Sequence, residues 1–306
     1  MFQWLILGVT TLLFGASIKG VTNTRIGNYK PVVNISNDTI LLAPASWTNI
    51  TDCLTNLMVN NAISKKHMSL AKNPDKKSKD LVLQVNYTTG VGGKTGAVFD
   101  VHPGNPPYTN YTRMSLSYDV WFPKGFNFVK EGKLPGLWGK QDAYHGYFDC
   151  GNGYDVVHGS HGPCWSVRGL WRSPTSTKGK TGLGAAYVYA PRRNIWCTTK
   201  TTDMEHGTYC ALPSDGDIVG RNFQYSTGTW NKILIVVDVR QKILQLSLNG
   251  KLMISYNGVN YGSSTIKFAG IKWETFFGGG SQSFKNPYPQ VTYFRYFELR
   301  AGNGLK

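Results

Sequence analysis

Short stretches in which apolar and polar residues alternate recur along this 306-residue chain, and turns rich in glycine separate them. Alternation with a period of two is the pattern of a strand that buries one face. The clearest stretches are residues 81–85, 114–122, 233–239, 243–248 and 291–299. The dipeptide Asn249-Gly250 between two of them predicts a tight hairpin turn. Many short strands at this spacing predict an all-β fold, a jelly roll or two-sheet antiparallel β-sandwich.

The composition agrees with strands rather than helices, since the chain holds 35 glycines and only 16% of its residues are charged. Its length leaves room for one large β domain or two average ones. No internal repeat or linker divides the chain, so we expect one domain over residues 21–306. A short helix is predicted within residues 51–71, and the lysine cluster over residues 65–79 is predicted to be a solvated face.

The first twenty residues have the features of a secretory signal peptide. Residues 2–14 are apolar and small residues follow, although the apolar stretch is too short for an ordinary membrane span. Asn-x-Ser/Thr sequons agree with secretion from a eukaryotic cell. They begin at Asn34, Asn37, Asn49, Asn86 and Asn110. We therefore expect an extracellular glycoprotein with no membrane attachment after removal of residues 1–20.

The five cysteines indicate disulfides if the protein is exported to an oxidising compartment. The economical pairing joins Cys150 to Cys164 and Cys197 to Cys210, because each bond then closes a glycine-containing loop of similar length. Cys53 is left over, either free or in an intermolecular bond. Zinc-binding spacings of cysteine and histidine do not occur, so we expect no metal.

The formal net charge of +16 favours a polyanionic partner, although a basic surface also serves solubility alone. Lysine and arginine are spread along the chain, with no basic helix, zinc spacing or ribonucleoprotein motif. Nucleic acid is therefore not the expected partner.

Three segments between residues 133 and 189 bring together cations, a hydroxyl group and phenols. Lys133 precedes a Pro-Gly step, which predicts a turn that fixes the direction of the lysine. Ser166-Val-Arg168 and Tyr187-Val-Tyr189 fit strands, in which residues two apart share a face. If these strands are neighbours, four polar groups line one surface and both valines point into the core. Taken singly, each residue also fits a solvated lysine, a surface ion pair or a half-buried sheet aromatic.

Four motifs containing these segments occur in a fixed order. They are Gly-Lys-Leu-Pro-Gly-Leu-Trp-Gly at 132–139, Cys-Trp-Ser-Val-Arg-Gly-Leu-Trp-Arg at 164–172, Ala-Ala-Tyr-Val-Tyr-Ala-Pro at 185–191 and Gly-Arg-Asn-Phe-Gln-Tyr-Ser-Thr-Gly-Thr-Trp at 220–230. Over roughly residues 80–300 the chain resembles polysaccharide lyase family 14, the alginate lyases of gastropods and a chlorella virus, with fungal relatives. The resemblance implies a β-jelly roll with a catalytic cleft on one sheet, and β-elimination of uronate polymers.

The resemblance places the family's catalytic residues on positions that match in this sequence. They are Lys133, Ser166, Arg168, Tyr187 and Tyr189. The expected protein is a secreted, endolytic alginate lyase, a monomer without cofactor that prefers mannuronate-rich stretches. A lyase for glucuronan or another glucuronate polymer, and a non-catalytic uronate-binding lectin, are the alternatives.

These residue types suit elimination from a 4-linked uronate. Lys133 or Arg168 neutralises the carboxylate, one phenol takes the C5 proton and the other protonates O4. Tyr189 is the preferred base, and Ser166 either binds the substrate or orients a tyrosine. Nearby cations are expected to lower the pKa of the tyrosine base, which predicts an alkaline optimum.

Further candidates lie close to these segments in sequence. A basic rim for neighbouring uronates is predicted from Lys178, Lys180, Arg192 and Arg193, although solvated loop charge fits equally. A histidine base remains an alternative, at His145, His158 or His161, with His145 the proposed substrate contact. A hydrolase pair among Asp142, Asp149 and Asp155 is not favoured by their spacing.

Overall fold

The computed structural model describes residues 33–57, 62–102, 111–141, 150, 164–174, 177–190, 208–209, 216–279 and 281–303. The strands within these ranges are β1 (Thr39–Leu42), β2 (Met68–Lys72), β3 (Leu81–Tyr87), β4 (Ala97–Val101), β5 (Arg113–Trp121), β6 (Glu131–Gln141), β7 (Cys164–Arg172), β8 (Gly182–Tyr189), β9 (Thr208–Tyr209), β10 (Asp217–Tyr225), β11 (Trp230–Asp238), β12 (Ile243–Leu248), β13 (Lys251–Asn257), β14 (Ile266–Thr275) and β15 (Gln290–Gly302). The α-helices are α1 (Ile50–Asn56) and α2 (Ala62–Lys65). Among these described residues, no helix has the length and apolar character needed to cross a membrane.

The strands form two antiparallel sheets that pack face to face. Sheet A has the order β13-β12-β11-β5-β15-β3-β2, and β1 pairs with the second half of β15. Sheet B has the order β4-β14-β6-β7-β8-β10-β9. The prediction of an all-β, two-sheet sandwich is confirmed.

The core lies between the sheets and is rich in aromatic residues. In β7, Trp165, Val167 and Trp171 are buried in this core, while Ser166, Arg168 and Leu170 lie on the opposite face of the strand. The Trp171 ring meets the ring of Phe277 edge-on, with centroids 5.5 Å apart. Val167 pairs with Val188, and both belong to the core as predicted. This packing fixes sheet B and therefore the direction of every side chain on its outer face.

Local predictions from the alternating pattern are largely confirmed. Each of the five predicted stretches lies mostly within a strand, namely β3, β5, β11, β12 and β15. Asn249 and Gly250 join β12 to β13 with φ of 51° and 80°, the two positive values of a type I′ hairpin turn. The helix predicted within residues 51–71 is divided into α1 and α2, and the chain enters β2 at Met68. Six lysines of the predicted cluster are exposed, at Lys65, Lys66, Lys72, Lys76, Lys77 and Lys79.

The turn predicted at the Pro-Gly step is wrong, because β6 continues through it. The pairing of β6 with β7 shifts between Leu134 and Gly136, so Pro135 sits in a β-bulge. A bulge tolerates proline because it interrupts the ladder that needs the missing N–H. The Tyr118 hydroxyl of sheet A donates to the Pro135 carbonyl over 3.0 Å. Gly136 is required by close approach, since a Cβ there would lie 1.9 Å from the Val167 carbonyl oxygen.

One of the two expected disulfides lies within the described residues and is confirmed. Cys150 and Cys164 are bonded, and Cys164 is the first residue of β7. Cys197 and Cys210 lie outside the described residues. Cys53 is a free thiol with no exposed surface, and burial raises its pKa to about 12. A thiol in this setting is a poor nucleophile and does not reach another chain.

Residues 1–20 and the sequon at Asn110 also lie outside the described ranges. The side chains of Asn34, Asn37 and Asn49 are exposed, and Asn86 in β3 is half-buried. Asn49 also caps α1, because its side-chain oxygen accepts a hydrogen bond from the Asp52 N–H over 2.8 Å. Glycosylation and secretion stay predictions.

Candidate active site

The outer face of sheet B brings the two tyrosines beside the serine and arginine. In the register of β7 and β8, Ser166 lies opposite Tyr189 and Arg168 lies opposite Tyr187. Side chains directly opposite each other in an antiparallel pair have Cβ atoms about 5 Å apart. The two segments are neighbouring strands, so the condition for a shared polar face is met.

The two phenols form a hydrogen-bonded pair. Their hydroxyl oxygens are 3.1 Å apart, and their rings meet edge-on with centroids 5.0 Å apart. The Gly216 backbone N–H also donates to the Tyr187 hydroxyl over 3.3 Å. Both side chains are nearly enclosed, with 8% of Tyr187 and 6% of Tyr189 exposed.

Two cations lie against the tyrosine rings. Lys133 Nζ is 3.4 Å from the centroid of the Tyr187 ring. Arg168 Cζ is 5.2 Å from that centroid and 4.9 Å from the centroid of Tyr189. Both cations are within cation–π distance of the rings, and this attraction is stronger where water is excluded. The structure thus gathers all five residues implied by the sequence, since Ser166 adjoins Tyr189.

Ser166 is held by the disulfide-bonded segment. Its hydroxyl donates to the Cys150 carbonyl over 3.0 Å, and no part of the residue is exposed. The Cys150–Cys164 bond therefore fixes both the start of β7 and the acceptor of this hydroxyl. Ser166 lies opposite Tyr189 in the strand register, with its hydroxyl bonded to the Cys150 carbonyl.

Arg168 is oriented by an acidic residue on another strand. Its Nη1 donates to Glu274 in β14, and both side chains are buried. Arg168 Nε and Nη2 are buried too and have no hydrogen-bond partner among the described residues. These two donors form one edge of the guanidinium, the edge that matches the two oxygens of a carboxylate. The described residues therefore leave this edge of the guanidinium without an acceptor.

Lys133 is buried, and its surroundings destabilise the charged form of its amine. Desolvation lowers its pKa to about 8, and the charges of Arg168 and Arg172 act in the same direction. Glu131 opposes them, with its Oε1 3.6 Å from Lys133 Nζ. At neutral pH the side chain is mostly an ammonium ion. It loses its proton within the moderately alkaline range.

For Tyr187, the expectation that the cations lower the tyrosine pKa is wrong. Burial raises the pKa of this phenol well above its ordinary value, and the contacts with Tyr189 raise it further. Arg168 and the Gly216 N–H act in the lowering direction but are smaller effects. The free energy lost when the phenolate is removed from water is larger than the free energy gained from its attraction to Arg168, because Glu274 partly neutralises that guanidinium. Tyr187 therefore keeps its proton at neutral and alkaline pH.

The remaining candidates are not joined to this cluster in the described part of the chain. Lys178 and Lys180 are exposed in the connection between β7 and β8. The connection follows the pair Arg172 and Leu183 at the end of the β7–β8 hairpin. Leu183 is four residues before Tyr187 in β8. The predicted positions Arg192, Arg193, His145, His158, His161, Asp142, Asp149 and Asp155 lie outside the described residues.

Sequence reasoning missed the acidic residues that hold the two cations. Glu131 lies two residues before Lys133, and its carboxylate also contacts Arg172 Nε at 3.2 Å. Glu274 is 106 residues from Arg168 in sequence. The signal that was overlooked is Lys272-Trp-Glu274, a charged pair two residues apart in a mostly apolar strand. The described residues contain no group of three or more histidine, cysteine, aspartate or glutamate side chains that could hold a metal ion.

Comparison with known proteins decides the family. The family model described as polysaccharide lyase 14 matches residues 75–297. The chain belongs to polysaccharide lyase family 14. This membership confirms the resemblance seen in the sequence and the expectation of a polysaccharide lyase. A search of curated proteins found no match.

Solved structures share the fold at low sequence identity. The PL-14 alginate lyase from Aplysia kurodai has a TM-score of 0.63 at 22% identity, over 86% of this chain and 98% of that one. The alginate lyase vAL-1 from a Chlorella virus has a TM-score of 0.51 at 21% identity, over 77% of this chain and 89% of that one. The alginate lyase Aly36B has a TM-score of 0.58 at 14% identity, over 84% and 92%. This family 14 protein therefore shares the β-sandwich fold of these solved structures.

Proposed function

We propose that this family 14 lyase is a secreted, endolytic enzyme that cleaves alginate by β-elimination and prefers mannuronate-rich stretches. Family membership supplies the reaction class, and the similar solved proteins from Aplysia kurodai and a Chlorella virus are alginate lyases. One observation carries the proposal. Arg168, whose Nε and Nη2 have no partner among the described residues, lies beside the hydrogen-bonded pair Tyr187 and Tyr189.

The first step is neutralisation of the uronate carboxylate. The C5 proton becomes acidic enough only when negative charge developing on the carboxylate is stabilised. Arg168 Nε and Nη2 grip both carboxylate oxygens, and the Lys133 ammonium adds a second positive charge. The enclosure of the site strengthens both interactions, because little water competes.

The two proton transfers are assigned to the two phenols of the hydrogen-bonded pair. Tyr187 keeps its proton, so it is assigned as the acid that protonates O4. Tyr189 is assigned as the base that takes the C5 proton. The C5–H bond breaks, a C4–C5 double bond forms, the C4–O4 bond breaks and O4 leaves as a hydroxyl group. No water is consumed.

The 3.1 Å hydrogen bond between the hydroxyls returns the site to its starting state. After turnover Tyr189 holds the proton taken from C5 and Tyr187 has given its proton to O4. Transfer from Tyr189 to Tyr187 across this bond restores one phenolate and one phenol. Ser166 keeps Tyr189 in place, and the exposed Lys178 and Lys180, with Arg192, Arg193 and His145, are proposed to bind uronates farther along the polymer.

A substrate panel tests the proposal. The purified protein is incubated with polymannuronate, polyguluronate and glucuronan, and the ultraviolet absorbance of unsaturated uronate ends is followed with time. We expect the fastest rise with polymannuronate. A faster rise with glucuronan would replace alginate by a glucuronate polymer, and binding of all three without absorbance would indicate a lectin.

Two further measurements test the mode of cleavage and the location. An endolytic enzyme lowers the viscosity of an alginate solution before much absorbance appears, whereas exolytic cleavage raises absorbance at nearly constant viscosity. Secretion predicts that a eukaryotic host exports the full chain without residues 1–20, and that removal of N-glycans lowers its mass. Retention of the chain inside the host cell would contradict the proposed location.

A further inference from the structure

A buried row of alternating charges runs up to the guanidinium that receives the carboxylate. Asp100 in β4 lies opposite Lys272 in β14, Lys272 lies opposite Gly136, and Gly136 lies opposite Arg168. Glu274, two residues along β14, reaches across to Arg168. The four charged side chains are between 1% and 4% exposed.

The contacts along this row alternate in sign. Lys272 Nζ is 3.1 Å from Asp100 Oδ1 and 4.0 Å from Glu274 Oε1. The other oxygen of Glu274, Oε2, accepts the hydrogen bond from Arg168 Nη1. Each oxygen of Glu274 therefore faces a different cation, which defines both the position and the rotation of the carboxylate.

The rotation of Glu274 in turn determines that of Arg168. A guanidinium is planar, so a fixed bond at Nη1 sets the direction of the whole fork. With Nη1 occupied, the edge formed by Nε and Nη2 is left for another acceptor, and that edge has no partner among the described residues. Gly136, which pairs with both Lys272 and Arg168, allows β6 and β7 to approach closely at this point, since a Cβ there would lie 2.4 Å from Arg168 Cα.

We propose that Glu274 is a positioning residue for the elimination, that it orients Arg168 toward the substrate carboxylate, and that Lys272 holds Glu274 in that orientation. This inference rests on the proposed function, since the carboxylate is that of a uronate substrate. The arrangement exceeds what stability requires, because replacing a buried ion pair with apolar residues is often neutral or stabilising.

A second buried pair provides a matched control. In sheet A, Arg113 Nε and Nη2 donate to Asp38 Oδ2 and Oδ1 over 3.0 and 2.5 Å. The side chains are 10% and 3% exposed, Arg113 begins β5 of the other sheet, and Asp38 directly precedes β1. Asp38→Asn removes a buried carboxylate from an arginine that has no proposed role in the reaction.

The test measures kcat, KM and the melting temperature for Glu274→Asp, Glu274→Gln and Asp38→Asn. Glu274→Asp withdraws the carboxylate by one methylene, and we expect kcat/KM for alginate to fall by about 10²-fold, with KM raised and kcat lowered. Glu274→Gln loses less, because its amide oxygen still accepts from Nη1. Asp38→Asn lowers the melting temperature and leaves kcat/KM of the folded protein unchanged.

A double-mutant cycle separates positioning from a structural role. If Glu274 acts only through Arg168, Glu274→Asp causes no further loss of kcat/KM in an Arg168→Lys background. Additive losses, or unchanged kcat/KM in Glu274→Asp alone, would overturn the inference. Wild-type turnover in the same series distinguishes failure of the two proposals. An inactive wild type contradicts the proposed function. An active wild type with additive losses contradicts only the role of Glu274.

Discussion

The hydroxyl oxygens of Tyr187 and Tyr189 lie 3.1 Å apart, within direct hydrogen-bonding distance. Burial and the contact with Tyr189 raise the pKa of Tyr187, while Tyr189 lies opposite Ser166 of the neighbouring strand and near Arg168. Two phenols in contact can supply an acid and a base for the two proton transfers of an elimination. They also allow the proton to return without a third group.

Removal of either hydroxyl should slow the reaction strongly. General acid–base catalysis contributes about 10²–10⁴-fold, so we expect Tyr189→Phe and Tyr187→Phe each to lower kcat by that order. Tyr225→Phe is the matched control, because the buried Tyr225 hydroxyl has no hydrogen-bond partner among the described residues. Initial rates and melting temperatures of the three variants decide the matter. A Tyr189→Phe enzyme with near-normal kcat would rule out the assigned base.

The charge of Lys133 should limit activity at high pH. Its pKa of about 8 lies below the ordinary lysine value, so the ammonium is present below pH 8 and is lost as the pH rises through that value. We expect kcat/KM to decline above about pH 8, and Lys133→Arg, which stays charged, to move the decline to higher pH. A wild-type profile that keeps rising beyond pH 10 would show that the ammonium is not needed. If the optimum is alkaline, as predicted from the sequence, we expect loss of the Lys133 proton to set its upper pH limit.

The Cys150–Cys164 disulfide should matter for both stability and rate. Its cysteines are 14 positions apart, and a loop of that size contributes about 3 kcal/mol to stability. We expect Cys150→Ser with Cys164→Ser to lower the free energy of unfolding by that order and to reduce kcat, because Ser166 bonds the Cys150 carbonyl. Cys53→Ala should leave kcat unchanged. Unaltered rate and stability without the disulfide would contradict its role in holding Ser166.

Gly136 should not tolerate a side chain. An added Cβ would lie 1.9 Å from the Val167 carbonyl oxygen and 2.4 Å from Arg168 Cα, so β6 and β7 would have to separate. We expect Gly136→Ala to destabilise the fold by about 1–3 kcal/mol and to lower kcat/KM. Chemical denaturation and steady-state kinetics measure the two effects. Wild-type stability in this variant would mean that the bulge at Pro135 is looser than described.

The sequence was sufficient for the sandwich and for the pairs Ser166–Arg168 and Tyr187–Tyr189, because both depend on the period-two pattern of strands. It failed at Pro135, where tertiary pairing turns an expected turn into a bulge. It also failed for the Tyr187 pKa, because burial is a property of the folded chain. Glu274 was missed because its partner is remote in sequence, and only the strand order of sheet B brings them together.

The most direct test follows two signals from one incubation with polymannuronate, namely new reducing ends and the ultraviolet absorbance of unsaturated ends. Wild type and Lys133→Ala are compared at equal concentration, with melting temperatures to confirm folding. We expect the two signals to rise together for wild type and neither to rise for Lys133→Ala. New reducing ends without absorbance would show hydrolysis and contradict elimination by this cluster, as would a Lys133→Ala enzyme as fast as wild type.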